Sequence, residues 1–270
     1  MTYTYRMEPD LDIIYRDEYF VAVHKPEGLL VHKSNIDKHE TVFLLQELRN
    51  QIGQHLYPVH RLDKPTSGLI LFALTPDIAK ILQAQMQDNT ASKEYLLVCR
   101  GYCEESGEVD HPLKPMEDFK RKSKKVRDPK PAQDAVTQYR RLQTVELNIE
   151  IDKYPTSRYS LVLAKLLTGR KHQLRRHFKH LSHPIIGCPK HGKSPHNSYF
   201  AAHLGAPRLL LHSYRMHLHH PVTKEPMTLL APPQGSFKAL LELLWPDINR
   251  TEPCTAPRPT TPSGDNSETG

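Results

Sequence analysis

An α+β domain is the fold class this sequence predicts. Strand-like runs alternate with a few amphipathic helical stretches, which argues for helices packed on a mixed sheet. A length of 270 residues with 38% apolar and 25% charged residues suits one globular domain with short extensions. There is no internal repeat, and 23 prolines against 12 glycines point to stiff loops.

From the N-terminus, "LDIIYRDEYFVAVHKPEG" reads as a hairpin, with strands near 11–15 and 19–24 joined at the polar "RDE" and stopped by Pro26 and Gly28. "ETVFLLQELRNQI" carries Val42, Leu45, Leu48 and Ile52 at helical spacing. "LILFAL" at 69–74 is a continuous apolar run of strand length, which places it inside a sheet. Thr75, Pro76 and Asp77 supply an N-cap, a first-turn proline and a first-turn acid, and Ile78, Leu82 and Met86 follow on one face.

Strands are expected at 93–100, "KEYLLVCR", and in "AVTQYRRL" and "YSLVLAKL". In "HQLRRHFKHLS" the residues Leu174, Phe178 and Leu181 form an apolar stripe. Arg175, Arg176 and Lys179 point elsewhere, and Pro184 ends the helix. "RLLLHSYRMHLHHP" suggests two more strands. The polar, proline-rich residues 250–270 have almost nothing to bury and are expected to be disordered. The domain therefore spans 11–249, after an N-terminal extension of residues 1–10.

No window approaches the 18 or so apolar residues needed to cross a bilayer, and the start lacks a secretory pattern, so a cytoplasmic protein with no membrane partner is expected. Four scattered cysteines match no zinc spacing and read as reduced, structural thiols. A formal charge of +7 and a pI near 9.1 favour an acidic partner, most commonly nucleic acid. Residues 114–130 hold eight Lys or Arg and three acids, a local charge of +5, which suits a solvated loop or a phosphate grip. Phosphate-loop, dinucleotide, zinc-peptidase and serine-hydrolase motifs are all missing. The histidines at 172–183 and 212–220 bring no carboxylates or thiols at ligand spacing, so no metal is expected.

Three stretches carry candidate chemistry. In "HRLDKPTSG", Asp63 lies in a loop before a buried strand, between Arg61 and Lys64. Flanking cations favour an ionised carboxylate, and a positioned carboxylate can act as a nucleophile. By spacing alone, an Asx-type turn cap accounts for Asp63 at least as well. "TGRKHQLRRHFKH" has five Lys or Arg, three His and no acid, which suits either phosphate binding or a solvated helix face. Tyr95 in "KEYLLV" fits a strand tyrosine with a wet hydroxyl as well as it fits a site residue.

Taken in order, "HRLDKPTSGLILFA", "KEYLLVCRG", "TGRKHQLRRHFKHLSHPIIG" and "RLLLHSYRMHLHHP", preceded by "YRDEYFVAVHKPEGLLVH", resemble the RluA-type pseudouridine synthases over residues 11–232. The most specific motif is H-R-L-D. "RNQIGQH" and the doubled arginine of "HQLRRH" resemble a tRNA-modifying subgroup. The resemblance implies a mixed, mainly antiparallel sheet flanked by helices and loops, without an S4 RNA-binding domain. It implies that Asp63 is the catalytic aspartate and Arg175 its partner, that Arg61 fills the gap of a flipped base, and that Tyr95 stacks on that base.

It also implies an apolar wall of Leu209, Leu210 and Leu211. Arg170, Lys171, His172 and Arg176 are expected to bind RNA. The expected activity is isomerisation of uridine to pseudouridine in tRNA, at uridine 65 of the T stem, by a monomer with no cofactor. A ribosomal RNA target, a non-catalytic RNA-binding module and a metal-dependent nuclease built on Asp63 and His60 are the competing readings.

Overall fold

The computed structural model describes residues 10–32, 40–116 and 130–247. The expected tail, all but the last residue of the N-terminal extension and most of the basic 114–130 stretch lie outside the described residues.

The expected hairpin forms from β1 (Ile13–Arg16) and β2 (Phe20–Lys25), paired antiparallel. Asp17 turns the chain between them: its Oδ1 accepts from the N–H groups of Tyr19 and Phe20 at 2.7 and 2.8 Å. Helix α1 (Leu44–Ile52) starts later than its apolar spacing suggests. Val42 precedes it, and Leu44 and Leu48 are its fully buried leucines. A two-residue strand, β3 (Tyr57–Pro58), leads to β4 (Ser67–Ala73), which is buried along its whole length, as the unbroken apolar run requires. Thr75 then caps α2 (Pro76–Gln87), its Oγ1 accepting from Ile78 N–H at 3.3 Å. Such a cap stabilises by about 1 kcal/mol.

The chain continues through β5 (Ser92–Arg100), β6 (Ser106–Asp110), β7 (Val136–Leu147) and β8 (Ser157–Leu166) to α3 (Gln173–His180), α4 (Ser194–His203), β9 (Leu211–His219), β10 (Pro226–Leu230) and α5 (Gly235–Leu244). "RLLLHSYRMHLHHP" thus yields one strand, β9. Its partner β10 comes after a turn at 220–225.

All ten strands join one sheet, in the order β1-β2-β4-β9-β5-β8-β7-β6, with β3 on β4 and β10 on β9. Every pairing is antiparallel except β4 with β9, where Ser67 faces His212 and Gly68 faces Ser213. This short parallel seam joins an N-terminal part of the sheet to the rest. Gly68 is required there: its φ is +103°, and a Cβ would sit 2.1 Å from the Ser213 carbonyl oxygen. One face of the sheet packs against α1 and α3 through Leu44, Leu48, Leu174 and Phe178. On the other face α2 covers one part through Ile78 and Leu82, and α4 and α5 cover another through Phe200, Phe237 and Leu240.

Candidate active site

The seam sets the site. Asp63 lies four residues before β4, and Tyr95 on β5 faces Ser213, the β9 residue that also faces Gly68. The strand that leaves the Asp63 turn and the strand that carries Tyr95 therefore flank β9, and the Asp63 charge acts on the Tyr95 phenol.

The turn is built by the backbone and leaves the carboxylate available. The Thr66 N–H donates to the main-chain carbonyl of Asp63 at 3.0 Å, so the side chain is not the cap. Beneath the loop the fully buried Lys25 spans three carbonyls, of Pro26, Leu29 and Lys64, at 2.8, 2.7 and 3.0 Å. Burial pulls its pKa down to about 7, while three acceptors favour the ammonium form. Lys64, beside Asp63 in sequence, pairs with Glu40 at 2.7 Å instead.

The partner of Asp63 comes from α3. Arg175 donates from NH1 to Asp63 Oδ2 at 2.9 Å. The arginine side chain is 4% exposed and the carboxylate 27%, so the cation is buried and the anion faces outward. Helical periodicity places Arg175 off the apolar stripe, with Arg176 and Lys179. The structure buries it, because a carboxylate in the core wall satisfies its charge. Its Nε donates to Cys188 Sγ at 3.3 Å, and that sulfur also accepts from the His191 N–H at 3.3 Å. The His191 ring lies 3.2 Å from His172 Nδ1 through its Nε2, and His172 Nε2 stands 3.7 Å from Asp63 Oδ2. Asp63, Arg175, Cys188, His191 and His172 thus close a ring.

Both histidines in the ring are neutral near pH 7. Burial draws His172 to about 4 despite the Asp63 charge, and Arg175 pushes the same way. Burial, then Arg175, also draws His191 to about 4. The contact of His172 with Asp63 is therefore not an ion pair at neutral pH. His172 has a φ of +56° at the N-cap of α3, a strained position for a residue with a Cβ. Gln173 holds it there: Oε1 accepts from Thr168 Oγ1 and Arg170 N–H, while Nε2 donates to Val136 O and Thr137 Oγ1. Tyr95 is buried, and burial with the nearby Asp63 charge raises its phenol, which stays protonated.

The remaining expected residues divide. Leu209 and Leu211 share a core cluster with Leu62, Tyr95 and Leu174. Leu210 packs with Phe237 and Leu240 in the cluster on the opposite face of the sheet, so the expected wall of three consecutive leucines is corrected to Leu209 and Leu211. Arg61 and Lys171 are exposed. Arg170 donates through Nε to Asp134 O at 2.9 Å, and Arg176 through NH1 to Lys114 O at 3.0 Å, so both arginines brace loops. His60 Nε2 accepts from Leu71 N–H at 3.2 Å and is engaged inside the fold. Among the described residues no three His, Cys, Asp or Glu side chains gather as a metal site.

Behind the seam lies a network that the sequence did not signal. Arg208 donates to Glu27 at 2.7 Å and to Ser67 Oγ at 2.6 Å. Ser67 meets His212 Nδ1 at 2.7 Å, and His212 Nε2 meets Ala231 O at 2.8 Å. A carbonyl can only accept, so Nε2 carries the proton and Nδ1 accepts from the Ser67 hydroxyl. Cys188 and His191 were also missed, because neither has a signal before the fold brings it to Arg175.

Comparison with known proteins places this geometry. Residues 19–180 match the family model described as RNA pseudouridylate synthase. A protein named tRNA pseudouridine synthase C from Pasteurella multocida (strain Pm70) is 46% identical over 239 residues, covering 88% of this chain and 98% of the relative. One of the same name from Vibrio vulnificus (strain CMCP6) is 47% identical over 237 residues, covering 87% and 96%. The solved structure titled Human RNA Pseudouridylate Synthase Domain Containing 1 superposes with a TM-score of 0.64 at 24% identity, over 92% of this chain and 90% of that one, a likeness of fold.

Proposed function

The chain belongs to the RluA-type RNA pseudouridylate synthase family, and from that premise we propose that it isomerises uridine 65 of the tRNA T stem, with Asp63 as catalytic carboxylate. The observation that carries the residue assignment is the 2.9 Å pair between a buried Arg175 and an outward-facing Asp63 beside Tyr95. Relatives named for tRNA support the substrate.

The reaction breaks the bond from N1 of the base to C1′ of the ribose, turns the base and joins C5 to C1′. The C5 proton leaves and N1 gains one, so there is no net redox change or hydrolysis. Asp63 supplies an anionic oxygen held by the guanidinium, able to add to C1′ or to take a ribose proton toward a glycal; both routes need this carboxylate charged and aimed. The target nucleotide must leave its stack, at a cost of a few kcal/mol. Arg61 fills the vacated space, the Tyr95 ring stacks on the base, and Leu209 with Leu211 closes the apolar side. Arg170, Lys171, His172 and Arg176 lie around the rim for phosphates.

In this reading the catalytic domain spans 11–249 and acts as a cytoplasmic monomer without a cofactor. No helix among the described residues is long and apolar enough to cross a membrane.

The test maps pseudouridine over total RNA from a strain whose only copy carries Asp63→Asn. Loss at tRNA position 65 alone is expected. Full retention of that modification would sink the assignment, and loss at a ribosomal position would move the substrate to ribosomal RNA.

A further inference from the structure

Cys188 and His191 lie beyond the residues matched by the family model, which end at 180, yet they complete the ring around Asp63. We propose that Cys188 is a positioning residue of the isomerisation: its sulfur fixes the Nε edge of the Arg175 guanidinium so that NH1 is aimed at Asp63. This rests on the reading of Asp63 as the reacting carboxylate.

A guanidinium is planar, and one contact at NH1 leaves its plane free to turn; a second acceptor at Nε fixes that plane. Cys188 Sγ is that acceptor, at 3.3 Å. A thiol sulfur accepts weakly, so it orients the cation without drawing its charge from Asp63 as a second carboxylate would.

The sulfur is itself held in place. The His191 N–H donates to it at 3.3 Å. Asn197 on α4 grips the backbone on both sides, Oδ1 accepting from Gly187 N–H at 2.7 Å and Nδ2 donating to Cys188 O at 3.2 Å. Gly192 N–H adds a bond to the same carbonyl at 2.9 Å. Gly187, with φ +74°, lies where a Cβ would be 1.7 Å from Arg208 O, so no larger residue fits and the loop path is set. Helix α4 therefore reaches the site through Asn197, Cys188 and Arg175.

The experiment compares wild type, Cys188→Ser and Cys188→Ala in turnover of unmodified bulk tRNA from a strain lacking the gene. Each variant's unfolding midpoint is recorded first. Cys188→Ala should lower kcat by about tenfold or more, the scale of a small misplacement at a reacting group, with KM within about twofold. Cys188→Ser keeps an acceptor and should recover most of the rate. Wild-type kcat in Cys188→Ala, equal losses in both variants, or a rise in KM matching the fall in kcat would overturn the proposal. If Cys188→Ala is unfolded at the assay temperature, Asn197→Ala carries the test, since it frees the loop and keeps the sulfur; an unchanged kcat there is equally fatal. Inert wild-type protein sinks the tRNA reading and this proposal with it, whereas active wild type with an unaltered Cys188→Ala sinks only this one.

Discussion

Asp63 and Arg175 stand 112 residues apart in the chain and 2.9 Å apart in the fold. The cation is the buried member of the pair, so the scaffold fixes the arginine and the arginine fixes the carboxylate.

Arg175→Lys should therefore be far from conservative. A lysine keeps the charge but loses the planar two-point hold on Asp63 and Cys188. The expected result is a fall in kcat of roughly 10²-fold, the scale of a 1 Å misplacement, with RNA affinity nearly unchanged. Single-turnover rates and filter binding separate the two, and a wild-type rate would show that charge alone suffices.

Gly68→Ala should break the seam between β4 and β9. The added Cβ meets the Ser213 carbonyl at 2.1 Å, at a φ of +103°. Moving that backbone should cost about 3 kcal/mol or more, combining left-handed strain with the clash. Urea unfolding reads it directly; an unshifted midpoint would mean that the two strands separate without penalty.

His212 should make the fold sensitive to acid. Burial lowers it from an ordinary 6.5 to about 3, so between those values the unfolded chain binds the extra proton and the native state does not. Stability is then full above about pH 6.5 and falls as pH drops toward 3, by up to a few kcal/mol from this group. His212→Gln keeps a donor for Ala231 and an acceptor for Ser67 but cannot titrate. Urea unfolding between pH 4 and 7 should show a shallower acid limb in that variant; an identical limb would remove His212 from the account.

Much of the fold was legible because local chemistry and packing agreed. Thr75, Pro76 and Asp77 start α2 where the cap pattern predicts it, and the apolar 69–74 run lies inside the sheet. Periodicity says of Arg175 only that it lies off the apolar stripe of α3, and its burial depends on a carboxylate remote in sequence. Helix α4 shows no apolar stripe, with His196 and Phe200 as its buried residues, so its pattern had little to offer. Helix α5 did carry a signal: Phe237, Leu240, Leu241 and Leu244 recur at helical spacing, and attention to 235–244 finds it. For the candidate site, the motifs single out Asp63, Tyr95 and Arg175, which the fold brings near one another. The ring through Cys188 and His191 depends on a loop whose course is set by Gly187 and Asn197, which no periodicity encodes.

The parallel seam also bears on how the chain acquires its activity. Hairpins such as β1 with β2 or β7 with β8 close over short loops, whereas Ser67 must wait for His212, 145 residues later. Such a long-range contact is entropically slow to form. Asp63 belongs to the early half and Arg175 to the late one, so a nascent or half-folded chain holds a carboxylate without its guanidinium. With Asp63 as the proposed reacting carboxylate, activity is expected only once both halves of the sheet have docked, and turnover would then report complete folding.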